Sequence, residues 1–215
     1  MADPGYIVDG VLTDPESWVA LGTDEFGASA TSAVFTDPSD GSSLDWSQFM
    51  DLVLICYHRT DYASTSDSGR IYVGPRGGST DTLHANYSMQ RLYGYAGNAS
   101  ANSSAAASYG LGELTCSANN SPANVFAAAV VHFFDINSGK YKSTLVQSAI
   151  DGWNTGGSNT DNGWIHIQGN TWMKQEPIGK IDIRPVNGTN FVQYSRFDLF
   201  GILPRMGPPS ATVSP

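Results

Sequence analysis

Residues 178–202 read IGKIDIRPVNGTNFVQYSRFDLFGI, and their alternation decides the fold class. In the first half Ile181 and Ile183 share a parity opposite Asp182 and Arg184. In the second Phe197 and Leu199 share a parity opposite Asp198 and Phe200. A period of two on both sides of a turn pair, Asn187-Gly188, predicts antiparallel strands with one buried face. Beyond Ile202 the pattern gives way to a Pro/Ser/Gly tail.

Working outward from this stretch, the chain repeats the same grammar. SATSAVFT (29–36) reads as a strand stopped by the turn cluster Asp37-Pro38-Ser39-Asp40-Gly41. The apolar runs of Leu52 to Tyr57 and Val125 to Asp135 predict central strands. Shorter strands are expected at Arg70 to Val73, Leu83 to Tyr95, Gly110 to Cys116, Tyr141 to Ile150 and Trp164 to Gln168, where Ile165 and Ile167 share a face. Asn137-Ser138-Gly139 marks a turn. Residues 96–108, rich in Ala, Ser and Asn, read as a loop, as does DGWNTGGSNTDNG at 151–163. Residues 1–28 carry little strand signal; Asp14-Pro15-Glu16 could start a short helix that Gly22 ends.

Eight to ten strands at hairpin spacing, with no βαβ rhythm, predict an all-β chain. The expected architecture is an antiparallel two-sheet β-sandwich of jelly-roll type with extended N- and C-terminal arms. The expected division is an acidic N-terminal arm at 1–28, a sandwich domain at 29–202 and a Pro/Ser-rich tail at 203–215.

Only 14% of the 215 residues are charged, about half the usual share, so Ser, Thr, Asn and Gly must cover much of the surface. That composition suits all-β proteins held in assemblies. The net charge of −9 is concentrated at one end: ten acids precede the first base, Arg59, while the rest of the chain is nearly neutral. An acidic N-terminal quarter argues against nucleic-acid binding and suits docking onto a basic protein surface, although it could equally serve solubility. No run of about 18 apolar residues predicts a membrane helix. The N-terminus lacks the basic and apolar regions of a secretory signal. Cys56 and Cys116 show no metal spacing, and Cys56 sits inside LVLICY as a buried thiol.

The chemistry-bearing residues do not form a recognisable motif. His58, His84, His132 and His166 are scattered, although His132 and His166 both fall on strands where they could meet. No nucleophile elbow, P-loop or dinucleotide fingerprint occurs. Asp182 and Asp198 lie on strands, where a glycosidase pair would need them to share a cleft; alternation predicts that they face solvent instead. Asp151, Asn154, Asn159 and Asp161 supply oxygens that could wrap a calcium ion, though not at EF-hand spacing. Trp153, Trp164 and Trp172 could line a sugar-binding face, or pack in a core or interface. Sequons begin at Asn86, Asn98, Asn102, Asn119 and Asn187 and reflect the Asn/Ser-rich composition. The expectation is no catalytic, cofactor-binding or metal-binding residues, hence no enzyme.

Asn190-Phe191, Gln193-Tyr194-Ser195 and Phe197-Asp198-Leu199-Phe200-Gly201-Ile202 resemble the closing motif of a widespread group of tailed-bacteriophage virion proteins. Those end in Asn-Phe, Gln-Tyr-Ser and Phe-x-Leu-Tyr-Gly-Ile, so Phe200 departs from the usual tyrosine. Asn86-Tyr87-Ser88 with Leu92-Tyr93-Gly94, and Lys140-Tyr141-Lys142, resemble other marks of the group, and coverage runs roughly from Phe49 to Ile202. The resemblance implies a non-enzymatic virion structural protein with a β-sandwich, expected as a homotrimer. The leading expectation is a capsid decoration or cement protein on the capsid exterior, partnered by the major capsid protein. The alternative is a tail or head-fibre module contacting host surface glycans.

Overall fold

The computed structural model describes residues 7–8, 11–12, 18–95, 98–150 and 163–203. The strands, in chain order, are β1 (Ile7–Val8), β2 (Val11–Leu12), β3 (Trp18–Glu25), β4 (Ala33–Thr36), β5 (Asp51–His58), β6 (Ser66–Pro75) and β7 (Tyr87–Tyr95). They continue with β8 (Asn98–Ser104), β9 (Glu113–Ser117), β10 (Ala127–Phe134), β11 (Lys142–Ile150), β12 (Trp164–Trp172), β13 (Ile178–Pro185) and β14 (Arg196–Ile202). Two single-turn 3-10 helices, Trp46–Gln48 and His84–Asn86, lead into β5 and β7.

All paired strands are antiparallel. The large sheet runs β3-β14-β5-β10-β11-β12-β7-β8, the small sheet β4-β13-β6-β9, and β1-β2 form a separate ribbon. The expected all-β, two-sheet sandwich is therefore present, with unequal sheets of eight and four strands. Its core is the apolar surface between them, including Leu52, Leu54, Val131, Phe133, Ile181, Ile183, Phe197 and Leu199, each almost fully buried. The turn at Asn137-Ser138-Gly139 joins β10 to β11 as expected, pairing Phe134 with Ser143.

The stretch at 178–202 supplies one strand to each sheet. β13 sits between β4 and β6, β14 between β3 and β5, so residues 186–195 form a corner crossing from one layer to the other. Two aspartates pin this corner. Asp61 accepts hydrogen bonds from the Thr189 and Asn190 amides (2.7 and 3.0 Å) and from Asn190 Nδ2 (2.7 Å). Asp67 accepts from Asn187 Nδ2 and the Gly188 amide, both at 2.9 Å. Phe191 then plugs the core and exchanges both backbone hydrogen bonds with Ala30 (3.0 and 2.8 Å). Tyr194 turns the chain at φ 70°, and the buried Ser195 hydroxyl donates to Arg59 O at 3.2 Å. Gly201 lies against Phe49, whose ring would come within 2.4 Å of any added Cβ.

Two segments differ from the sequence expectation. Residues 18–25, expected in the N-terminal arm, form an edge strand of the large sheet paired along β14, with Val19 and Leu21 packed against the core. Among the described residues the sandwich thus begins at Trp18; the helix start expected at 14–16 lies outside the described residues. Residues 98–104, expected in a loop, form β8, paired with β7 from Met89↔Ser104 to Tyr95↔Asn98. Its Ala, Ser and Asn side chains are poor strand formers and almost all are exposed, so the pairing with β7 holds it.

Candidate functional site

Polar side chains occupy part of the interior where β11 and β12 face β9. β9 is the edge of the small sheet, so one side of its backbone lacks a neighbouring strand, and buried backbone groups need partners. The large sheet supplies them from side chains. Gln168 Oε1 accepts from the Glu113 amide (3.1 Å) and Gln168 Nε2 donates to Glu113 O (3.0 Å). Ser148 Oγ accepts from the Thr115 amide (2.7 Å), and Thr144 Oγ1 donates to Leu111 O (2.7 Å). The Glu113 carboxylate accepts from Ser68 Oγ (2.7 Å) and pairs with Arg91, whose guanidinium lies over the Tyr93 ring at 4.8 Å. His166 is buried beside Gln168 (3.2 Å), and burial, with the nearby Arg91 charge, lowers its pKa to about 4. The cluster contains an acid, a base and an imidazole, yet most of its hydrogen bonds close the β9 edge.

The other candidates from the sequence are separated. His132 is on the outer face of the large sheet with Nε2 2.9 Å from Asp51, whereas His166 points into the sandwich from β12, so the two do not meet. His84 contacts the Tyr72 hydroxyl at 3.1 Å. His58 is fully buried against Phe197 (ring centroids 5.8 Å), and burial lowers its pKa to about 4. Among the described residues no three His, Cys, Asp or Glu side chains assemble as a metal cluster. Cys56 and Cys116 are free, buried thiols whose pKa values burial raises, which disfavours the reactive thiolate.

Asp182, expected to face solvent, is buried: it accepts from Thr80 Oγ1 (3.2 Å) and from Arg184 Nε (2.9 Å) beneath the loop carrying Thr80. Asp198 is half-buried on the other sheet, held by Thr23 and Arg196. The two therefore share no cleft. Trp172 is buried with Nε1 donating to Asp81 (2.8 Å), at the opposite end of β12 from Trp164, so these two do not line one sugar face. Trp153 and the calcium candidates Asp151, Asn154, Asn159 and Asp161 lie outside the described residues.

Two buried cations escaped sequence reasoning. Arg59 donates to four backbone carbonyls, those of Asn119, Ser121, Pro122 and Val125, at 2.8–3.2 Å. The Lys142 ammonium donates to the carbonyls of Ser138, Lys140 and Gln175, and burial lowers its pKa. Their only signal was a basic residue at the boundary of a strand. Both fasten loops rather than face a solvent-open site.

A broad feature open to a partner is the outer face of the large sheet. Across β12 the usual polarity is reversed. His166, Gln168 and Asn170 point into the sandwich, while Ile165 (58% exposed) and Ile167 (47%) point out. The inward parity is fixed by Trp172 in the core and by Gln168 on β9. Neighbouring strands extend the apolar surface with Ile55 and Tyr57, Val130, Leu145, and Leu92. A shallow depression of about 370 Å³ between Ile55, Val130, Ala149 and Ile167 adjoins another of about 290 Å³ floored by Gly94 and Ala99. Charged groups on this face stand at its rim and are paired, Asp51 with His132 and Asp198 with Arg196. Comparison with protein-family models, with curated proteins and with solved structures finds no match.

Proposed function

We propose that the chain is a non-enzymatic structural protein of a tailed-phage virion: a capsid decoration or cement protein, acting as a homotrimer. On this reading it binds the outer surface of the major capsid protein and stabilises the shell. The observation that carries the reading is the broad apolar face, its charged groups paired at the rim, which offers a contact surface rather than a reaction centre. The buried titratable groups fit the same reading, because Arg59 and Lys142 fasten loops through backbone carbonyls and the Glu113 carboxylate is taken up by Arg91 and Ser68. The closing motif from Asn190 to Ile202 supports the assignment to the virion group, its residues forming the corner and last strand of the sandwich. The acidic N-terminal quarter supplies charge complementary to a basic capsid surface.

Imaging the particle tests this directly, since the protein is expected on the capsid exterior. Particles lacking it should rupture at lower temperature or milder osmotic shock, and adding back purified protein should restore them. Particles indifferent to its removal would overturn the reading.

A second reading, a fibre or tail module contacting host glycans, is favoured by one observation. Tyr93, Tyr95 and Trp164 form a half-buried aromatic cluster, with the Tyr95 and Trp164 centroids 4.1 Å apart. Aromatic faces of this kind stack on sugar rings. Binding of the purified protein to a glycan array, lost on Trp164→Ala, would support this reading in place of the first.

A further inference from the structure

We propose that copies of this chain pack against one another through the outer face of the large sheet, between β5 and β8. The inference deepens the reading above by naming the surface used for self-association, and four observations support it.

The reversed polarity of β12 comes first. A strand that buries His166, Gln168 and Asn170 and exposes Ile165 and Ile167 gains nothing from water on its outer side. That pattern is stable when both faces are covered. The second observation is charge. The chain carries −9, and that excess lies in the acidic N-terminal quarter of the sequence, which repels the same quarter of another copy. Between β5 and β8 the outward charge is confined to Asp51 at one end of β5, paired with His132 at 2.9 Å, so over the rest of the face two copies meet without opposing like charges. A basic partner would find no unpaired carboxylate on it.

Extent is the third. From β5 to β8 there are five strand spacings of about 4.8 Å, and the face runs about 17 Å along the strands, giving roughly 400 Å² in plan. Side-chain relief brings this toward the roughly 800 Å² per partner of a standard interface. The fourth observation is the sheet edge beside the face. At the far edge β3 ends in Asp24 and Glu25, charges that discourage further strand pairing. β8 has no charge and no proline, and Ala99 and Ala101 continue the outer face to its open edge. Among the described residues of β8, no charge or proline keeps a second copy away.

The test uses the purified full chain in solution, without particles, by sedimentation analysis across a concentration series. An oligomer is expected at micromolar concentration. Ile167→Lys, a change at a half-exposed side chain, should weaken association more than about 100-fold by placing an unpaired charge in the contact. Gln147→Arg, on the exposed parity of β11, should do the same and stands in if the first variant misfolds. Leu83→Lys, at an exposed leucine outside this face, should leave the oligomer intact. A wild-type chain that stays monomeric at 100-fold higher concentration overturns the proposal, as does an oligomer indifferent to both face variants. A monomer that binds only a different protein through this face overturns it too. Because the assay needs no virion, its failure is separate from a failure of the capsid assignment.

Discussion

The two halves of the sandwich interior are built on different principles. Under β14 and β5 the filling is aromatic and aliphatic: Phe26, Phe191 and Phe197 pack with centroids 5.0–6.3 Å apart, and His58 stacks on Phe197. Under β11 and β12 it is a hydrogen-bonded layer in which Gln168 and Ser148 complete the backbone of β9 and Thr144 that of Leu111 just before it. On the large sheet the first half lies under β14, β5 and β10, each with a strand on either side. The second contains an open strand edge and fills it with side chains. A buried polar group costs little when each hydrogen bond it loses to water is replaced, and much when one is not. The contrast teaches that a polar cluster inside a sandwich can be an answer to topology, with no reaction to perform.

The sharpest way to break this contrast is Phe197→Ala. Removing a fully buried ring from the aromatic half should cost about 3–5 kcal/mol, measured by denaturant unfolding. In the polar half, Arg91→Met leaves the Glu113 carboxylate buried without its cation and should cost about 3 kcal/mol. Adding Glu113→Gln should recover part of that loss, whereas independent sites would add. If Arg91→Met costs nothing, the Arg91–Glu113 pair does not hold this cluster together.

Acid sharpens the comparison, because each half buries one histidine. The pKa values of His58 and His166 lie near 4 in the folded chain, below the ordinary 6.5. The unfolded chain therefore binds more protons between these values, and stability falls as pH drops from about 6.5 to about 4. For His58, fully buried, the loss should approach about 3 kcal/mol; for the less buried His166 it should be smaller. Unfolding midpoints measured across that window should flatten more for His58→Phe than for His166→Gln. A smaller effect again, about 1–2 kcal/mol, is expected for Asp61→Ala, which removes acceptors from the corner at 189–190 without opening either half of the core.

The alternating and continuous apolar segments were legible in sequence because their parity and their burial agree. The Leu52–Tyr57 run is the central strand expected of it, and Phe197 and Leu199 share the buried face that their alternation predicts. β3 and β8 were not legible, since an edge strand has one neighbour and little core contact to imprint on its sequence. Trp18–Glu25 carries only Val19 and Leu21 inward, and Asn98–Ser104 carries no large side chain. The outward placement of Ile165 and Ile167 was hidden for a different reason. Periodicity shows which residues share a face, but which face turns inward depends on Trp172 and on the open edge of β9, both distant in sequence. Arg59 and Lys142 were illegible because their partners are carbonyls, and every residue has one.

The pairing of β3 with β14 has a practical consequence. Trp18 and Ile202 are register partners, so the first and last strands of the sandwich start and finish at one pole. A short linker could join them and new termini could be opened elsewhere, giving a circularly permuted chain with the same sheets. Cargo fused before residue 18 or after residue 203 would leave from the same spot, and a single anchoring point could orient the whole domain.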